Sequence, residues 1–136
     1  VFASAPTAYL LLFPDFTIAD ANEAYLQVTG RTRRELVGRS VFDVFPSNPQ
    51  DAAGDGVGDL RTALLRVLES GRPETMAVLR YDIPAPDGQG FLERYWSPVN
   101  APVTDARGRI VLLVHRVVDV TEFVHHRGQS TRCTRT

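Results

Sequence analysis

The chain has 136 residues, 43% of them hydrophobic, and a formal net charge of -1. That is enough for one domain with a real core and too little for two ordinary ones, and it leaves no electrostatic footprint for nucleic acid or an anionic membrane surface. All fifteen basic residues are arginine, which excludes a Schiff-base lysine and the lysine of a phosphate-binding P-loop. The single cysteine, Cys133, sits in a polar tail, so no internal disulfide or cysteine zinc cluster is available and a reducing, cytoplasmic setting is expected. No apolar run approaches the roughly 20 residues that span a bilayer, and no membrane contact by this domain is expected.

Tyr9 to Phe13 is a short apolar run closed by Pro14-Asp15, and Phe16 to Ala21 follows directly, which predicts a two-strand hairpin. Short helices come next. Asp20 with Glu23 three residues on has the form of a capping box, and Gly30 suits a left-handed stop. Thr32 with Glu35 repeats the pattern, and Ser40 can cap Val41 to Phe45 before Pro46. Pro46 to Gly58 has no apolar period and reads as a mobile loop. The spacing of its acids Asp51, Asp55 and Asp59 does not fit a calcium loop, so no metal site is assigned.

Asp59 to Ser70 carries the clearest helical stripe, Leu60, Ala63, Leu64, Val67 and Leu68, and Gly71 and Pro73 end it. Three strand candidates follow, Thr75 to Ile83, Phe91 to Val103 and Ile110 to Val120, joined by turn-forming stretches. Pro98 and Pro102 predict a bulge or lost ladder bond in the second. In the last strand Val111, Leu113, His115 and Val117 share one face and Leu112, Val114, Arg116 and Val118 the other. Both faces are mostly apolar, which calls for helices on one side and further cover, such as a partner chain, on the other. The fold class is therefore α+β: a five-stranded antiparallel sheet with short helices and one longer helix packed on one face.

In this order and spacing the chain resembles a PAS domain, the sensory module of bacterial signalling proteins. The matching residues are Ala21-Asn22-Glu23-Ala24-Tyr25, Thr29-Gly30-Arg31, Glu35-Leu36-Val37-Gly38-Arg39, the long helix, and the closing Asp119-Val120-Thr121-Glu122. They extend from Phe2 to about Phe123, which makes residues 1–123 the domain and 124–136 the start of an exit helix followed by a disordered tail. The stretch from Arg94 to Asn100 is similar to that of PAS modules in sensor histidine kinases. The resemblance implies a regulatory domain that binds a small molecule between sheet and helices, or none, forms a homodimer, and signals to a covalently attached output domain.

By the same resemblance, Leu113, His115 and Val117 face a pocket from the last strand and Arg94, Trp96, Pro98 and Asn100 from its neighbour, with Phe45 and Leu64 completing the wall. A carboxylate-bearing or aromatic metabolite would suit Arg94 and Trp96. Asp119, Thr121 and Glu122 form the signal exit. Flavin-cysteinyl photochemistry is not expected, because Gly38 to Phe45 lacks the reactive cysteine. Haem is not expected either, because the long helix has no histidine. The cofactor is otherwise unknown. There is no Gly-x-Ser-x-Gly elbow, zinc helix or phosphate loop, so the isolated domain is not expected to be an enzyme. Two readings stay open: a ligand-binding sensor, and a dimerisation module whose His115 and Trp96 simply fill a packed core.

Overall fold

The computed structural model describes residues 7–49 and 56–125. Asp51, Asp55 and the tail with Cys133 lie outside the described residues, as does the middle of the loop expected from Pro46 to Gly58. Strands β1 (Ala8–Leu12) and β2 (Ile18–Ala21) form the predicted hairpin. Its turn places Phe16 at φ 74°, an unusual conformation for a bulky residue, and Phe16 donates its N–H to the Phe13 carbonyl at 2.8 Å.

Helix α1 (Glu23–Thr29) is capped by Asn22, not by Asp20. Asn22 Oδ1 accepts from the N–H of Tyr25 and also from that of Tyr9, while its amide donates to the Thr7 carbonyl. One side chain therefore starts α1 and ties it to β1. Asp20 lies in β2 and pairs with Arg33 at 2.9 Å. Gly30 closes α1 at φ 69°, and a methyl there would meet Pro86 Cγ at 2.7 Å. Helix α2 (Arg33–Leu36) has the full Thr32 and Glu35 capping box, and α3 (Val41–Val44) is capped by Ser40. Helix α4 runs from Gly56 to Ser70 and buries Leu60, Ala63, Leu64 and Val67.

The first of the three long strand candidates is broken. It becomes β3 (Glu74–Thr75), β4 (Leu79–Arg80) and the first half of a separate ribbon, β5 (Ile83–Pro84) with β6 (Phe91–Leu92). The other two are β7 (Tyr95–Thr104) and β8 (Ile110–Asp119). The sheet order is β2-β1-β8-β7-β3, with β4 also paired to β7. This gives five positions, the outermost shared by two short strands.

Strand β7 passes through Pro98 and Pro102 without a bulge, and its register shifts only between Val103 and Thr104. The Pro98 carbonyl accepts from Met76 N–H, so its missing N–H points to the same side, where the chain has left the ladder between β3 and β4. No ladder bond is lost there. Helices cover one sheet face, and Leu10, Leu12, Ile18, Leu36, Leu64 and Leu113 are fully buried between; each contributes roughly 1.5 to 3 kcal/mol of apolar burial. Tyr9, Val103 and Val118 are exposed, as expected for the outer side. Val111 is exposed too, although it shares the parity of buried Leu113.

Candidate functional site

Between helices and sheet the core is not filled. A cavity of about 40 Å³ is left there, walled by side chains from seven parts of the chain. Tyr25 and Thr29 reach it from α1, Val41 from α3, Phe45 from the turn after α3, and Leu60 from α4. Leu79, Tyr81 and Ile83 project from the β4 and β5 segment, which alternates as a strand does. Trp96 and Pro98 on β7 and His115 and Val117 on β8 supply the sheet side.

Most polar groups in this wall are held. Trp96 Nε1 donates to the Tyr81 carbonyl at 2.8 Å, Tyr81 OH donates to the Phe45 carbonyl, and Thr29 Oγ1 donates to the Tyr25 carbonyl at 2.8 Å. His115 is 6% exposed, and its Nδ1 lies 2.6 Å from Oδ1 of Asn100, a residue with no exposure at all. Burial pushes the His115 pKa down to about 4, so the ring is neutral. Nδ1 then donates to the amide oxygen, and Nε2 is the acceptor that remains. Burial also raises the Tyr25 and Tyr81 phenols far above their usual value, and Tyr81 adds to the shift of Tyr25.

Of the predicted pocket residues, Trp96, Pro98, His115, Val117 and Phe45 meet at this cavity. Leu64 and Leu113 are fully buried core residues behind it, and Asn100 supports His115 from the second row. Arg94 does not face the cavity. It precedes β7, so the strand parity that turns Trp96 inward does not extend to it, and its Nε lies 3.5 Å from Asp119 Oδ2. Tyr25 and Tyr81 were missed as wall residues. The alternation of Leu79, Tyr81 and Ile83 was the available signal for the second; Tyr25 read only as helix core.

A second polar cluster closes the β4 side. Asp82, 4% exposed, accepts from Arg80 Nε at 3.1 Å and Arg80 NH2 at 3.0 Å, from Asn48 Nδ2 at 2.9 Å and from Arg94 N–H at 3.3 Å. Burial alone would raise its carboxyl; the hydrogen bonds from Arg80, Asn48 and Arg94 outweigh it and hold the group below the usual range.

At the exit, Thr121 Oγ1 donates to Asp119 Oδ1 at 2.6 Å and accepts from Tyr95 N–H at 2.9 Å, while Val120 N–H donates to the Tyr95 carbonyl at 2.9 Å. Helix α5 (121–125) starts there. His125 Nε2 lies 3.3 Å from Glu93 Oε2 and its ring meets Tyr95 edge-on. Glu122 is exposed and makes no hydrogen bond or ion pair among the described residues.

The sequence matches the PAS fold family over residues 2–125. The chain belongs to the PAS family. It is similar in structure to an RNA-binding light-oxygen-voltage receptor, with a TM-score of 0.68 and 23% identity over 96% of this chain and 34% of that one. This PAS domain thus spans about a third of that receptor's length. VqmA bound to DPO matches with a TM-score of 0.58 and 21% identity, over 88% of this chain and 55% of that chain. A sensory box sensor histidine kinase from Vibrio cholerae matches with a TM-score of 0.61 and 15% identity, over 88% and 85%. At such identities the likeness is one of fold. No curated protein matches the chain. No helix among the described residues is long and apolar enough to cross a membrane. Since a domain of this fold occurs in an RNA-binding receptor, the balanced charge of the PAS domain excludes nothing about nucleic-acid partners of a longer parent chain.

Proposed function

We propose that this PAS domain is the sensory module of a bacterial signal-transduction protein, a sensor histidine kinase, and has no catalysis of its own. It binds a small molecule in the cavity between sheet and helices and relays occupancy through the chain after β8 to a covalently attached output domain in the cytoplasm. The apolar outer face of the sheet would pair two copies. The observation that carries this reading is adjacency: His115 and Val117 line the cavity and Asp119 follows on the same strand, while Trp96 lines it and its neighbour Tyr95 holds Thr121. A ligand that moves either strand by a fraction of an ångström moves the anchor of α5. Support for ligand binding comes also from VqmA, a protein of the same fold bound to DPO.

The small size of the cavity favours a second reading, a dimerisation module with a nearly filled core. A native mass spectrum of the protein as purified separates them. Extra mass released on denaturation supports the sensor; the bare mass of a dimer, unchanged after incubation with extract metabolites, supports the dimerisation module.

A further inference from the structure

We infer that the cavity selects an uncharged, compact molecule carrying a hydroxyl or N–H donor, with Nε2 of His115 as its acceptor. This rests on the sensory reading above and names the ligand class of that site. No Asp, Glu, Lys or Arg lines the cavity among the described residues. An ionised ligand would therefore be buried without a counter-charge, which costs far more than its apolar contacts return. Arg94, the cation expected to favour a carboxylate, is turned to Asp119.

Two hydrogen-bonding groups of the wall remain unused. The ring of His115 is fixed by Asn100 through Nδ1, so the unprotonated Nε2 is left without a donor; the hydroxyl of Tyr25 makes no hydrogen bond among the described residues. A hydroxyl is the smallest group that can donate to the first and accept from the second. Asn100 Nδ2 is also buried without an acceptor, a further unfilled valence in the same pair. Buried polar groups in folded proteins are seldom left so.

Size sets the other limit. A cavity of roughly 150 Å³ holds benzene, and this one measures about 40 Å³. A single ring enters only if a wall gives way. The weakest wall is the β4 and β5 segment, whose strands are two residues each.

The test uses the whole chain, with phenol and toluene as probes of equal size, benzoate as a slightly larger charged probe beside its uncharged isostere nitrobenzene, and xenon as a probe of the cavity itself. Xenon should shift the methyl resonances of Val41, Leu79, Ile83 and Val117. Phenol should bind about tenfold tighter than toluene, the worth of one buried hydrogen bond, and benzoate should not bind. His115→Phe should remove the advantage of phenol while leaving toluene binding in place; if that variant fails to fold, Tyr25→Phe should narrow the advantage instead. Equal binding of phenol and toluene, or binding of benzoate, with xenon still entering, overturns the ligand class and leaves the sensory reading intact. Absence of any xenon shift overturns both.

Discussion

Nδ1 of His115 lies 2.6 Å from Oδ1 of Asn100, and the two residues face each other directly across the β7 and β8 ladder. The pair puts two polar side chains in the middle of an apolar layer, and each orients the other. Because burial lowers the His115 pKa to about 4 from 6.5, the unfolded chain binds a proton between these values and the folded one does not. Stability is complete above the unfolded value, falls as pH drops toward the folded one, and flattens below it. The slope in that window should approach ~1.4 kcal/mol per pH unit. Urea midpoints at about pH 7 and pH 5 measure it, and His115→Phe should reduce the difference.

Asp82→Ala should destabilise the domain by about 1 to 3 kcal/mol, because Asn48 and Arg80 lose a buried acceptor and the Arg94 N–H is orphaned. Arg80 is 36% exposed in its side chain, which keeps the loss below that of a fully buried pair. Urea unfolding with an unchanged m-value would confirm it; an unchanged midpoint would show that water replaces the carboxylate.

Much of this was readable in the chain. Thr32 with Glu35, Ser40 and Gly30 act locally, and a cap works through residues two or three positions away, so short spacing suffices. The stripe of α4 and the alternation of β8 were equally plain. What failed depended on distant partners. Asp20 and Asn22 are both good caps, and the choice was made by Tyr9 and Thr7, which only Asn22 reaches. Thr75 to Ile83 has strand composition, but its edge position beside Pro98 gives part of it no ladder to join. Arg94 was assigned by a parity that begins one residue after it.

Gly30→Ala should cost about 1 to 3 kcal/mol, since it adds a strained left-handed backbone to a contact with Pro86 at 2.7 Å. Gly38→Ala is the control. Its φ is 87° but nothing lies within 4 Å of the added carbon, so only about 1 kcal/mol of backbone strain is expected. Thermal melts of the two variants should differ in that order.

Thr121→Val keeps the side-chain shape and removes both hydrogen bonds of the hydroxyl, leaving Tyr95 N–H without an acceptor. Amides of residues 121–125 should exchange faster with solvent, while those of β1 and β8 stay protected, with about 1 to 2 kcal/mol lost overall. Glu122→Ala should leave exchange unchanged. Equal protection in both variants would remove Thr121 from the relay.

Strand β1 lies antiparallel beside β8, with Ala8 opposite Val117 and Tyr9 opposite Arg116. The segments before Ala8 and after Asp119 therefore leave the same end of the sheet as neighbours. Tension between whatever flanks them would fall on Ala8 and Val117 first and peel the strands apart one pair at a time, instead of shearing all five pairs together. Mechanically this is a zipper pulled from its open end, so the domain should yield to low force along that line while resisting load applied across the sheet.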